Sequence, residues 1–168
     1  MKVYHVVKEG RTMRSIVFFL AVMSLGAAEK YTGPKPEKAD IPYLVHADTL
    51  VETEAVEARE ETRKDATVAV VPGAAARART PLPEPIFIIR TEKLVPEKLA
   101  AYKMEVRNGN REVVISGKKQ RNAPKMIYLN ATRLGDNLWK VEVDQNLENG
   151  QYTLSPEGSN QTFSFEVY

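Results

Sequence analysis

The chain has 168 residues and contains no cysteine. This absence excludes disulfide bonds, thiolate metal sites, cysteine nucleophiles and the lipid-modified cysteine of a bacterial lipoprotein. Small exported domains of eukaryotes usually depend on disulfides, so for an exported chain the absence favours a bacterial periplasm or cell exterior. The stability of the fold must then come from packing alone.

Histidine is almost as rare, and residues 29–168 hold only His46. It lies in a short apolar stretch, where a half-buried structural role fits it better than a role as a general base. One imidazole without thiolates cannot build a histidine-rich zinc or iron site. No serine has a nucleophile-elbow context, no loop has the pattern of a calcium site, and no glycine-rich phosphate loop is present. We therefore predict no catalytic residues, no metal and no cofactor.

The chain also lacks a strong excess of either charge, with 24 basic and 22 acidic residues. Residues 1–28 carry four of the basic residues and one acidic residue, so the remaining 140 residues hold 20 basic and 21 acidic ones. A general binder of nucleic acid or of anionic membranes shows a clear basic excess. The composition therefore predicts no nucleic-acid partner.

The longest apolar run follows Arg14 and ends at Gly26-Ala27-Ala28. At roughly ten apolar residues it is short for a membrane-spanning helix, which needs about 20. A secretory signal typically has a basic residue, then a short apolar run, then small residues at the cleavage site. We predict cleavage after Ala28, with Met13 as a possible true start, and an exported protein of the periplasm, cell surface or medium without a transmembrane segment after cleavage. An uncleaved membrane anchor is the alternative.

Charged stretches and segments rich in glycine and proline divide the rest of the chain. Residues 29–40 are charged and contain glycine and prolines, which predicts a flexible leader. Residues 41–83 predict a strand-containing extension that ends in a proline-rich linker. Within it, the charge run Glu54–Asp65 has few apolar positions and predicts a short solvated helix or an exposed loop. Residues 84–168 form the candidate domain.

From Ile86 onward apolar residues alternate with polar ones and turns are frequent. Seven short strands at this spacing predict an all-β antiparallel sandwich. Asn108-Gly109 is a preferred pair for a two-residue hairpin, because both positions require positive φ. The hairpin register, which would gather the apolar side chains on one face, pairs Val106 with Arg111, Met104 with Val113, and Tyr102 with Ile115.

Residues 138–167 contain LWKVEV, then LENGQYTL, then FSFEV. They resemble the last three strands of an immunoglobulin-like or fibronectin-type-III-like sandwich, in which a corner with the pattern Gly-x-Tyr precedes a strand. Gly150 and Tyr152 match that corner, and Leu154 takes the place of the disulfide cysteine of antibody domains. The resemblance implies a hydrogen bond from the Tyr152 hydroxyl to the upstream backbone. The whole chain also loosely resembles exported bacterial proteins, which implies no particular activity.

The aromatic residues of the candidate domain also follow a period of two. We predict that Trp139 is the centre of the core, with Tyr152, Phe163 and Phe165 close by. The alternative is a carbohydrate platform that these residues form with Tyr102 and Tyr128 on an exposed face.

These features predict an exported, non-catalytic binding or structural module of the cell envelope or exterior, which meets a protein or an envelope glycan. The candidate contact is a basic cluster for an anionic polymer, with an ordinary solvated loop as the alternative; it consists of Lys118, Lys119, Arg121 and Lys125. An assembly or export accessory factor that binds partner strands by β-augmentation is an alternative function. A small hydrolase that pairs His46 with a serine or carboxylate is a second.

Overall fold

The computed structural model describes residues 31–64, 66–117 and 125–168 and shows an all-β protein with two antiparallel sheets in a sandwich-like arrangement. The strands are β1 (Pro42–His46), β2 (Thr49–Glu52), β3 (Glu54–Glu57), β4 (Arg59–Arg63), β5 (Ala66–Pro72), β6 (Arg79–Thr80), β7 (Ile86–Arg90), β8 (Leu99–Arg107), β9 (Asn110–Gly117), β10 (Met126–Ile127), β11 (Leu129–Arg133), β12 (Leu138–Val143), β13 (Gly150–Pro156) and β14 (Gln161–Val167). A 3-10 turn covers Pro96–Lys98. No helix in the described part of the chain is long and apolar enough to cross a membrane.

The five-stranded sheet has the order β11-β12-β7-β1-β2. Its central strand β7 is rich in isoleucine, and Phe87, Ile88 and Ile89 are all buried. An apolar run without alternation is expected where both faces of a strand are covered. The face of β7 that carries Phe87 and Ile89 packs against the second sheet.

The second sheet has nine strands, seven of which follow the order β3-β14-β13-β8-β9-β5-β4. Its two end strands, β3 and β4, are separated in the chain by Ala58 alone. The backbone N–H of Ala58 donates to the carbonyl of Asn160, 2.8 Å away, at the start of β14. The two ends of the sheet therefore meet, and the sheet closes on itself. Its inside holds a second, smaller core of Ala58, Ala69, Val71 and Met104.

The main core lies between the two sheets and is centred on aromatic rings. Phe87 of β7 meets Phe165 of β14 edge to face at 5.0 Å, and Tyr152 stacks on Phe165 at 5.6 Å. Phe163 is also buried in this core. Trp139 is only half-buried and does not belong to it, so the prediction of Trp139 as the centre was wrong. It lies opposite Ile89, one pair from the end of the β12–β7 ladder.

The segment before β1 is held against the five-stranded sheet. Pro36 is buried, and the Arg90 side chain donates to the carbonyls of Pro36 and Glu37. The Asp40 carboxylate accepts hydrogen bonds from the backbone N–H groups of residues 92–94. Burial raises the pKa of Asp40, but the three backbone donors and the Lys93 ammonium together lower it by more, so the pKa is lower than the ordinary value. The described part of the expected flexible leader is therefore anchored.

Residues 41–83 supply strands to both sheets, so the boundary expected near residue 84 does not divide the sheets. β1 pairs with β7, β3 with β14, and β5 with β9. The proline-rich segment contains β6, which runs parallel to β14 and pairs with it. The charge run forms β3 and β4 rather than a helix or loop, because cross-strand partners such as Glu112, bound by Arg63 at 2.7 Å and 2.8 Å, compensate its charges.

The hairpin between β8 and β9 turns at Asn108 and Gly109, with φ values of 50° and 76°, as the sequence predicts. Val106 pairs with Arg111 in the expected register. The ladder then ends at the pair Glu105–Glu112, because β10 takes the place of β9 beside the earlier part of β8. The expected apolar face was wrong: Val106 is 51% exposed, whereas Arg111 is completely buried.

Candidate functional site

The basic cluster expected to contact an anionic partner falls largely outside the described residues. This applies to Lys118, Lys119 and Arg121. Lys125 is described and exposed, immediately before β10. The role of the cluster stays a prediction.

A groove of about 770 Å³ opens where β9 separates from β8. On β8, Glu105–Arg107 pair with β9, and Ala101–Tyr102 pair with β10. The space between the diverging strands extends to the ends of β13 and β14 and reaches the second core at Ala58 and Ala69. Small-molecule sites typically enclose about 300–1,000 Å³. The groove is therefore large enough for a ligand or for several side chains of a partner.

The mouth of the groove carries an apolar patch of Ile115, Met126 and Tyr128, which we call the mouth patch. Their exposed fractions are 46%, 41% and 70%. Single exposed apolar residues are normal on a protein surface, but a cluster beside a concavity marks a binding surface. The mouth patch was missed in the sequence because Ile115 and Met126 lie on strands expected to be packed.

Hydroxyl groups line the deeper part of the groove. The Thr162 hydroxyl donates to the Val56 carbonyl at 2.6 Å, and the Ser155 hydroxyl donates to the Gln161 carbonyl at 3.0 Å. A hydroxyl has one proton to donate, so these oxygens can still accept a hydrogen bond. The deeper wall thus suits a ligand that donates hydrogen bonds.

The rim of the groove is acidic. Glu60, Glu97 and Glu157 line it together with one basic residue, Lys98, and the exposed Lys125 immediately precedes Met126 of the mouth patch. Among the residues that the structure describes, none of the three carboxylates forms an ion pair. An exposed cluster of like charge attracts ligands of opposite charge and repels anions. The groove therefore favours neutral or basic ligands.

His46 and the carboxylates of the groove are exposed and do not line the same site. His46 is exposed at the end of β1 and does not line the groove. The rim carboxylates are solvent-exposed, whereas a catalytic acid is usually held in an apolar pocket that raises its pKa. In the described parts of the chain, no group of three or more histidine, aspartate or glutamate residues could hold a metal ion.

A buried ion pair lies inside the closed sheet, deeper than the groove. The Arg111 guanidinium donates to the carbonyls of Gly73 and Pro72 at 3.0 Å and 2.8 Å, and to Glu54 Oε1 at 3.0 Å. Its Nη1, the Glu54 Oε2 and the Ser164 hydroxyl are buried without a partner among the described atoms. Apolar residues of the second core separate this pair from the groove. The pair was missed because its two residues are 57 positions apart in the chain.

The hydrogen bond that the sequence resemblance implies for Tyr152 is present. The Tyr152 hydroxyl donates to the Glu148 carbonyl, 2.8 Å away. Gly150 has a φ of 155°, and a Cβ there would lie 3.2 Å from Lys103 Cε, so the position favours glycine. Burial raises the pKa of Tyr152. The aromatic residues do not form a shared exposed platform. Tyr152, Phe163 and Phe165 are buried, whereas Tyr128 lies exposed at the groove.

No protein-family model, curated protein or solved structure matches this chain.

Proposed function

We propose that the chain is an exported, non-catalytic binding module with an immunoglobulin-like sandwich, and that the groove is its ligand site. The strand order β11-β12-β7-β1 opposite β14-β13-β8-β9 supports the fold, because it corresponds to the order D-E-B-A opposite G-F-C-C′. The hydrogen bond of Tyr152 supports it further. In this interpretation β2–β5 are an insertion, of which β2 extends the first sheet and β3, β4 and β5 close the second.

The observation that carries the binding role is the mouth patch beside a groove of about 770 Å³. Contact between these exposed apolar side chains and water is unfavourable in free energy, and a bound ligand that covers them removes this contact. The partner is then a protein or an envelope glycan. An accessory factor that adds a partner strand is the alternative, and it is supported by the end of β9, which among the described residues pairs with a strand on one side only. No observation favours the small hydrolase.

Export rests on the N-terminal sequence, since residues 1–30 lie outside the described residues. We expect a mature N-terminus at Glu29, measured by mass spectrometry of the protein recovered from the cell envelope or medium. An intact N-terminus on the exported protein would instead indicate the membrane anchor.

The ligand site can be tested with Nile red, a neutral apolar dye that becomes fluorescent in apolar surroundings. The test variant carries Ile115→Ser and Met126→Ser at the mouth patch. The matched control carries Leu82→Ser and Val95→Ser, which are 48% and 46% exposed and lie outside the groove. Losing contact with two apolar side chains is expected to weaken dye binding about tenfold, because about 1.4 kcal/mol corresponds to a factor of ten. Equal binding by the two variants would overturn the site.

A further inference from the structure

We propose that the groove binds an extended segment of a partner polypeptide that carries alternating apolar and basic residues, and that this segment adds to β9 as an extra strand. The inference rests on the proposed function, in which the groove is the ligand site. It specifies the class of ligand and the way in which the ligand is held.

The first support is a strand edge at the groove. Residues 113–117 of β9 lie beside β5 on one side, where all but Ile115 pair with it and the register shifts between Val114 and Ser116. On the other side, within the described residues, they pair with no strand, because β10 lies beside the corresponding part of β8. Val113, Val114 and Ile115 of this edge line the groove. Peptides commonly bind to such an edge through main-chain hydrogen bonds. An edge of five residues offers about 17 Å to a partner strand.

The second support is the match between this edge and its surroundings. Every second side chain of an added strand points to the same face, so alternating apolar residues would lie against the mouth patch. Glu60, Glu97 and Glu157 stand around the same opening and favour lysine or arginine in the segment. An uncharged glycan could hydrogen-bond to the carboxylates, but it has no cation to pair with them and no peptide backbone to continue the ladder of β9.

The experiment compares three fluorescein-labelled octapeptides by fluorescence anisotropy at low salt. The first alternates lysine and valine. The second has the same sequence with every second backbone nitrogen methylated on the edge that would pair, and the third replaces lysine with glutamate. We expect the methylated peptide to bind at least tenfold more weakly than the first, because it cannot form the hydrogen bonds of the ladder. The glutamate peptide should also bind at least tenfold more weakly, because the rim carboxylates repel its charges. Amide hydrogen exchange should slow at alternate residues of 113–117 only with the first peptide.

The role of the rim is tested by the triple variant Glu60→Gln, Glu97→Gln and Glu157→Gln. The matched control removes the same charge outside the groove with Glu84→Gln, Asp136→Asn and Asp144→Asn. We expect the rim variant to reduce the preference for the lysine peptide over the glutamate peptide about tenfold, and the control to change it by less than about threefold.

The outcomes separate this inference from the proposed function. If Nile red binds at the mouth patch but the methylated and unmethylated peptides bind equally, the added strand is overturned and the ligand site stands. If an envelope polysaccharide displaces the dye and the lysine peptide does not, the ligand is a glycan and the inference fails. If neither dye nor peptide binds, the proposed function and this inference both fail.

Discussion

Arg111 gives the most informative test of the fold, because it is completely buried inside the closed sheet. Replacing it with methionine keeps most of the side-chain volume but removes the donors to Gly73, Pro72 and Glu54. The Glu54 carboxylate, whose side chain is 13% exposed, would then be a nearly buried charge without its partner. Removing one member of a buried ion pair typically costs about 3–5 kcal/mol. The total unfolding free energy of a domain is about 5–15 kcal/mol, so Arg111→Met should be close to unfolding.

The measurement is urea denaturation followed by the fluorescence of Trp139, the single tryptophan of the chain. Arg107→Met is the matched control, since Arg107 lies on the same hairpin and its exposed ion pair with Glu105 should contribute less than about 1 kcal/mol. If Arg111→Met fails to fold, Arg111→Lys keeps the charge while losing part of the hydrogen bonding, and an intermediate loss of stability is expected.

A double-mutant cycle shows whether the lost unfolding free energy arises from the Glu54 charge that is left without its partner. Adding Glu54→Leu to Arg111→Met removes both charges, so the double variant should be more stable than the sum of the two single changes predicts, by about 2 kcal/mol. A loss below about 1 kcal/mol for Arg111→Met with an unchanged denaturant slope, or additive single losses, would refute the reasoning.

Three further predictions concern residues of the two sheets and the segment before them. Tyr152→Phe removes only the hydrogen bond to Glu148 and should lower the unfolding free energy by about 1 kcal/mol, as a shifted urea midpoint at constant slope. Asp40→Ala should cost about 1.5 kcal/mol at neutral pH. Because the folded pKa of Asp40 is lowered, the contribution of its carboxylate is present above about pH 4 and disappears as the pH falls, so the difference between wild type and variant should shrink below pH 4. A remainder should persist at low pH, because Asp40 has a φ of 60°, which alanine adopts less readily than aspartate. Trp139→Ala should cost about 2 kcal/mol, less than the loss of a fully buried tryptophan, as differential scanning calorimetry would show; complete unfolding would place Trp139 in the core after all.

The sequence predicted the elements whose signals are local. The turn at Asn108-Gly109 depends on two adjacent residues, and the corner at Tyr152 on a contact only four residues long. The all-β class followed from the alternation after Ile86 for the same reason. These features could be derived because neighbouring residues determine them.

The parts that could not be predicted depend on contacts between distant segments. The charge run became strands because partners such as Glu112, 49 positions from Arg63, compensate it. Arg111 was expected on an apolar hairpin face, but the closed sheet places it inside, opposite Glu54. The groove itself is assembled from several strands at the point where β9 leaves β8, and no single stretch of sequence carries its pattern.

The closed second sheet has a consequence for how the chain folds. β3 reaches its partner β14 only across about two thirds of the chain, and the hydroxyl of Thr162 meets the carbonyl of Val56 at a separation of 106 residues. Pairings this distant must overcome loop-closure entropy before they contribute any stability, which makes folding slow. β3 therefore lacks its partner until β14 has been synthesised, and during that interval its unpaired edge is open to aggregation or to a chaperone.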